Sequence, residues 1–311
     1  MIKGAAPGIA GAGYRPADKG GPITTIDIEQ WLKKEYLKIV VRALKEDIGR
    51  GDITTDAIVA SDKRTLGLIF PKEEGVLCGV DIARMVFAQV DDNVQFEPKM
   101  KDGNRLSPGQ TIATVIGSAA SCLKAERTAL NFMQQLSGIA TLTRKFVDAA
   151  AGRTRILDTR KTAPGLRTME KYAVRMGGGF NHRFGLYDMV LIKDNHIQIA
   201  GSITKAVQAV RQKKKRAFIE VEVRTLDEVR EAMRLPVNRL MLDNMRAELA
   251  QQAVTMVKLS SDKLETEISG GVSLDNIEEY ADCGADYISI GALTHSAPAL
   301  DIALKMKSLG E

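Results

Sequence analysis

The chain is 311 residues long, with 44% hydrophobic and 27% charged side chains and a net charge of +5. This is an ordinary globular composition, in a chain long enough to bury a sizeable core and to make two domains. Aromatics are only 5% and the basic excess is local, which argues against a nucleic-acid partner; the run Lys213-Lys214-Lys215-Arg216 reads as a solvated helix end.

Residues 1–24, rich in Gly, Ala and Pro without a sustained apolar stretch, read as a flexible tail rather than a targeting peptide. From 25 to about 50, Ile26, Ile28, Trp31, Leu32, Tyr36, Ile39, Val40 and Leu44 recur at threes and fours and predict a helix. Short strands follow at 65–70 and 75–80, then a helix at 81–90, and a turn-rich stretch at 102–110 leads into a strand at 111–116. A long helix is predicted over 122–151, with Leu130, Met133, Leu136, Ile139 and Phe146 on its apolar side. Gly138 marks a break in it or a close contact. Cys78, Cys122 and Cys283 are isolated and odd in number, with no CxxC, and read as reduced thiols of a cytoplasmic protein. No run approaches the ~18 apolar residues of a membrane span.

After Gly152 strands and helices alternate. Strands are predicted at 155–159, 189–193, 217–223, 239–243, 267–270 and 287–291, with helices at 168–176, 203–212, 226–234, 247–259 and 274–283. The strand ends Glu222, Asp243, Ser269 and Gly291 lie 21, 26 and 22 residues apart, one βα unit each. That cadence means parallel strands, in a barrel or a doubly wound sheet. Strand after strand stops on a polar residue or glycine, as expected of an active site built at the carboxyl-terminal rim of a (β/α) barrel.

Residues 153–193 carry nine Lys/Arg against three acids, a balance of +6 that exceeds that of the whole chain. Arg160 and Lys161 precede the turn at Pro164-Gly165, and Arg167, His182, Arg183 and Lys193 add further cations. An Arg-Lys pair is usually a solvated loop; here the accumulation of cations at strand ends points to an anionic substrate with several carboxylates or phosphates. Lys193 ends an apolar run and reads either as a lysine snorkelling from a strand end or as a Schiff-base lysine. Glu220 and Glu222 alternate with valines and share one strand face, and Asp243 ends the next strand. Acids in a buried strand need a cation or hydroxyl partner, so Glu222 and Asp243 are candidates for Mg²⁺, sugar hydroxyls or a developing positive charge. Their alternative is salt bridging to rim Arg and Lys. Ser269-Gly270-Gly271 and Ile290-Gly291-Ala292, after the last two strands, suit a phosphate seat. Gly177-Gly178-Gly179 lacks a nucleotide fingerprint and reads as a loop. His295 reads as structural, and Arg127, with Glu126 and Asn131 at hand, as a surface residue.

Glu46-Asp47-Ile48-Gly49-Arg50-Gly51-Asp52-Ile53-Thr54-Thr55, Glu126-Arg127-Thr128-Ala129-Leu130-Asn131, residues 158–167, Asn181-His182-Arg183, Ile192-Lys193-Asp194-Asn195-His196, residues 220–223 and Ile268-Ser269-Gly270-Gly271 together resemble the quinolinate phosphoribosyltransferase family. The resemblance runs in motif order from about residue 30 to the C-terminus, with Ala163 where the family often has Thr. It implies an α/β subunit in which an N-terminal α/β sandwich, 25–126, is joined by a C-terminal helix, 297–311, beside an incomplete (β/α) barrel, 127–296. It also implies a homodimer, or an assembly of dimers, with sites shared between subunits. The implied reaction joins quinolinate to 5-phosphoribosyl 1-pyrophosphate with Mg²⁺, giving nicotinate mononucleotide, CO₂ and pyrophosphate for NAD biosynthesis.

By the same resemblance, Arg127 would enter the partner's site and, with Thr159, Arg160, Lys161, His182, Arg183 and Lys193, hold quinolinate and nearby phosphate. Glu222 and Asp243 would face ribose and metal, and Ser269, Gly270, Gly271, Ile290, Gly291 and Ala292 would seat the 5-phosphate. The donor of the final proton is not readable from the resemblance; Lys161 is taken as a guess. The resemblance overrides the surface reading of Arg127. The competing readings are a paralogue of this fold linked to molybdenum transport, a non-catalytic phosphosugar-binding protein and a Schiff-base aldolase built on Lys193.

Overall fold

The computed structural model describes residues 25–261 and 263–309; the tail expected at 1–24 lies outside them, as do the side chains of 25–33. In chain order the elements are α1 (Thr25–Ile48), α2 (Ile53–Ile58), β1 (Arg64–Pro71), β2 (Gly75–Val76), α3 (Val80–Val90), β3 (Gln95–Pro98), β4 (Arg105–Leu106), β5 (Ala113–Ser118) and α4 (Ala119–Ala150). There follow β6 (Arg155–Leu157), α5 (Arg167–Met176), β7 (Val190–Ile192), α6 (Asp194–Ala200), α7 (Ile203–Lys213), β8 (Ile219–Val223) and α8 (Leu226–Ala232). The chain continues with β9 (Arg239–Asp243), α9 (Ala247–Ser260), β10 (Glu265–Ser269), α10 (Ile277–Asp282), β11 (Tyr287–Ser289), α11 (Ala292–His295) and β12 (Ile302–Ser308).

The described residues divide into two compact units, one comprising residues 25–144, Thr162–Gly178 and residues 293–309, the other comprising Lys145–Lys161 and Gly179–Ala292. The first is built on the antiparallel sheet β12-β1-β5-β3. β1 alternates buried and half-buried residues, the period-two pattern of a sheet with one face on the core. The boundary expected between 126 and 127 falls inside α4, which is continuous. Gly138 does not break that helix: a Cβ there would run into the carbonyl oxygen of Pro298. Gly138 is the point where the 298–299 backbone lies directly on the helix.

The C-terminal helix expected over 297–311 is corrected to a strand. Residues 302–308 form β12, antiparallel to β1, with Thr65 opposite Ser308 and Pro71 opposite Ile302. Ala, Leu, Lys and Met favour helix on their own, but their alternation here suits the open edge of β1, where tertiary pairing overrides propensity. Leu304 covers Gly67, where a Cβ would come within 2.8 Å of it, and Lys305 and Lys307 blunt the outer edge.

The second unit is the parallel sheet β6-β11-β10-β9-β8-β7. An isolated parallel bridge between Leu157 and Phe180 extends it beyond β6. Among the described residues β7 pairs only with β8, so the sheet stays open. β8 is buried at every position and β9 at all but its last, as expected of strands covered on both faces. The register sets Asp243 beside Ser269 and Ser269 beside Ser289, a line of polar residues at the carboxyl ends of three adjacent strands.

Candidate active site

The expected site residues in the parallel unit gather at and under these carboxyl ends. Thr159, Arg160 and Lys161 follow β6, Lys193 follows β7, Glu222 lies near the end of β8, and Asp243 and Ser269 end β9 and β10. Ile290, Gly291 and Ala292 follow β11. Arg127 lies on α4 within the other unit.

Beneath the rim is a buried polar cluster. His182 Nδ1 accepts the Arg183 amide N–H at 2.8 Å, which leaves Nε2 to carry the ring hydrogen toward Glu220 Oε2, 2.9 Å away. The Asp158 carboxylate, fully buried, accepts the His182 amide N–H at 2.9 Å and the Asn181 side-chain amide at 2.6 Å. The Asn181-His182-Arg183 segment is thereby pinned to the end of β6. Glu267 lies 3.6 Å from His182 Nε2 and accepts from Arg239 at 3.0 Å. Arg239 also donates twice to Glu265 and lies over the Tyr287 ring.

Burial pushes the Glu267 carboxyl up to about 7, with Glu220 the next cause, and burial raises Glu220 too. Oε1 of each carboxyl is buried without a hydrogen-bond partner, an arrangement that a proton shared between the two acids satisfies. His182, Glu220 and Glu267 present ligand atoms within 4.8 Å of one another. The hydrogen on Nε2 and the Arg239 guanidinium on Glu267 favour a proton in that place over a metal ion.

On the rim the cations crowd one another. Arg183 donates to the Met189 carbonyl at 3.2 Å, and its pKa falls below the usual arginine value through burial first and the Arg160 charge second. An anion between the two guanidinium groups would relieve both effects. Asp188 accepts the amides of Phe184 and Gly185 at 2.6 and 2.8 Å, which folds the loop after Arg183 back on itself.

Across the strand ends lies an acidic group. Glu222 is 6% exposed; burial and then Asp243 hold its carboxyl above the usual range. Lys193 Nζ is 3.8 Å away, an ion-pair partner. Arg224 donates to Asp243 at 3.1 Å, to Asp194 at 3.0 Å and to Glu222 at 3.2 Å. The salt-bridge alternative read for these acids is thus present alongside their rim position. Two carboxylates with hard oxygen donors also suit Mg²⁺, which is commonly held by one or two carboxylates with waters and substrate phosphates completing the octahedron.

At the end of β10, Gly270 and Gly271 both adopt positive φ, +90° and +70°. Gly270 packs against the Asn244 side chain, while a Cβ at Gly271 would meet open space. Asn244, itself at φ +54°, donates its backbone N–H to the Ser269 carbonyl at 2.7 Å. Two successive left-handed glycines turn backbone N–H groups toward one side, as an anion seat requires.

The sequence reading missed Arg224, Asp194, Glu267 and Asp158 as members of these clusters. Arg224 held the same signal as Lys193, a cation directly after a parallel strand. Glu265 and Glu267 repeat the two-residue spacing of Glu220 and Glu222. His196 accepts the Lys193 amide N–H at 3.0 Å and so caps α6.

Taken together, a parallel α/β sheet with a cationic pocket, an acidic pair and a glycine loop on one rim defines an enzyme class that handles polyanionic, phosphorylated substrates. Residues 52–137 match the family model of the quinolinate phosphoribosyl transferase N-terminal domain, and residues 139–305 that of the C-terminal domain. The chain belongs to the quinolinate phosphoribosyl transferase family. It is 46% identical over 288 residues to the chloroplastic nicotinate-nucleotide pyrophosphorylase [carboxylating] of Arabidopsis thaliana, covering 87% of this chain and 82% of that protein. It is 43% identical over 290 residues to the mitochondrial quinolinate phosphoribosyltransferase [decarboxylating] 2b of Nicotiana tabacum, covering 88% of this chain and 82% of that one. The solved nicotinate-nucleotide pyrophosphorylase of Francisella tularensis superposes with a TM-score of 0.84 at 41% identity, covering 88% of this chain and 96% of that structure. Among the described residues no helix is long and apolar enough to cross a membrane.

Proposed function

We propose that the chain transfers the phosphoribosyl group of 5-phosphoribosyl 1-pyrophosphate to the ring nitrogen of quinolinate and decarboxylates the adduct. The products are nicotinate mononucleotide, CO₂ and pyrophosphate, a step toward NAD; its relatives are named for quinolinate phosphoribosyl transfer and for nicotinate-nucleotide pyrophosphorylase activity. The observation that carries this reading is the mutual crowding of Arg160 and Arg183 on the same rim as Glu222 and Asp243. A dicarboxylate satisfies the first pair, and a ribose whose anomeric carbon becomes electron-poor satisfies the second.

Arg160, Arg183, Lys193 and the His182 segment bind quinolinate, with Thr159 shaping the turn by accepting the Lys161 amide at 3.0 Å. The Ser269-Gly270-Gly271 loop and Ile290, Gly291 and Ala292 seat the 5-phosphate. As the bond from the anomeric carbon to pyrophosphate breaks, Glu222 and Asp243 stabilise the positive charge that develops there. They are also the residues that would hold Mg²⁺, which supplies charge neutralisation of the leaving pyrophosphate when bound. Once the pyridine nitrogen is alkylated, its positive charge stabilises the electron pair left on the adjacent ring carbon as the bond to CO₂ breaks. A proton then closes that carbon, and Lys161, exposed at the pocket edge, is our choice of donor.

Arg127 enters the site of a second copy, which makes the working enzyme a homodimer or an assembly of dimers. The buried, free Cys78, Cys122 and Cys283 suit a reducing compartment, and we assign the protein to the cytoplasm. Equilibrium binding tests the two subsites. Quinolinate should bind far more tightly than nicotinate, and Arg160→Ala should abolish that preference; equal binding of the two acids would contradict the dicarboxylate assignment.

A further inference from the structure

Arg224 stands where the proposed reaction needs a different cation. It follows β8 directly, is half-exposed, and its guanidinium spans carboxylates contributed by three strand ends: Asp194 after β7, Glu222 on β8 and Asp243 on β9. The geometry is that of a planar donor fork satisfied by acids on several sides. Hydrogen bonding to Asp243 is the largest influence on Arg224 and strengthens its hold on the proton. Lys193, 3.8 Å from Glu222, adds a second positive charge to the same group. Three carboxylates against two cations leave a local charge of −1, which attracts a divalent ion weakly; without Arg224 the charge becomes −2. Asp243 also accepts from the Asn244 side-chain amide at 3.0 Å and Glu222 faces Lys193 at 3.8 Å, so each keeps one contact when Arg224 leaves.

We infer that Arg224 is a built-in stand-in for the divalent cation: it holds Glu222 and Asp243 together in the free enzyme and must swing out when the metal–phosphoribosyl donor enters. The inference rests on the assignment of these two acids to the metal. It makes Arg224 a positioning residue that suppresses metal binding before the donor arrives and so couples the two binding events. The arginine has the solvent exposure to leave, since no part of its role depends on a buried side chain.

The test is Mn²⁺ binding to the free enzyme, read by electron paramagnetic resonance of the unbound ion without substrate. R224Q should bind Mn²⁺ about tenfold more tightly than the unaltered enzyme, because one opposing charge is gone. R224K, which keeps the charge, should stay near the unaltered enzyme. Equal or weaker Mn²⁺ binding by a folded R224Q protein, with the binding abolished by adding E222Q and D243N, overturns the role of Arg224 and leaves the metal assignment standing. Mn²⁺ binding by R224Q that survives E222Q and D243N overturns the metal assignment itself, and this inference with it.

Discussion

The Arg160 charge makes that of Arg183 harder to bear, and Arg183 bears it while buried. A pair in that state is organised for an anion. Replacing Arg160 with Ala should therefore raise the KM for quinolinate by about tenfold to a hundredfold, the weight of one or two charge-assisted hydrogen bonds. The melting temperature should move little, and kinetics identical to those of the unaltered enzyme would remove Arg160 from the pocket. Glu267 supports a different experiment. Its folded pKa of about 7 lies above the ordinary 4.5, so the folded state holds a proton that the unfolded chain releases. The resulting stability is fully present below about 4.5 and is lost as pH rises through 7. Glu267→Gln should flatten the decline in melting temperature across that window relative to the unaltered protein; parallel pH curves would mean that the carboxyl ionises normally.

Two glycines divide the elements into framework and site. Gly138 lets the 298–299 backbone lie on α4, and Gly138→Ala should destabilise the fold by roughly 2–4 kcal/mol, because a methyl meets backbone that has no rotamer by which to yield. Chemical denaturation reads this directly, and a shift below 0.5 kcal/mol would contradict the close approach. Gly271 has open space around a Cβ but a φ of +70°. Gly271→Ala should lower stability by only about 1 kcal/mol while raising the KM for the phosphoribosyl donor, whereas an unchanged KM would detach the loop from phosphate.

The strands of the parallel unit were legible because βα spacing and apolar runs both marked them, and Glu222 and Asp243 were legible as their polar ends. α6, which follows Lys193 directly, was not, because its exposed Ile199 and seven-residue length give no buried periodicity. The helix expected at 297–311 came from the resemblance alone, and β12 stands there because of its pairing with β1, more than two hundred residues away. The role of Arg224 was passed over for the same physical reason: it lies in acids at three separate strand ends, Asp194, Glu222 and Asp243, that no single sequence window brings together.

At the scale of the molecule, the open parallel sheet puts the cationic pocket, the acidic group and the glycine loop on one edge of a single unit, while Arg127 belongs to the other. If, as proposed, Arg127 completes the site of a second copy, this separation has a consequence. Mixing Arg127→Ala with Glu222→Ala protein, each inactive alone, should restore up to about a quarter of the original sites through mixed dimers, by the symmetry of a shared interface. Verified mixed dimers that stay inactive would place Arg127 outside any shared site.

The most direct measurement of the central claim is Mg²⁺-dependent turnover of quinolinate with 5-phosphoribosyl 1-pyrophosphate, following nicotinate mononucleotide and CO₂ together, with nicotinate as the control acceptor. Equal amounts of nucleotide and CO₂ from quinolinate, with little product from nicotinate, are the predicted result. A folded protein that forms no nucleotide from quinolinate, or uses nicotinate as well, would contradict the account.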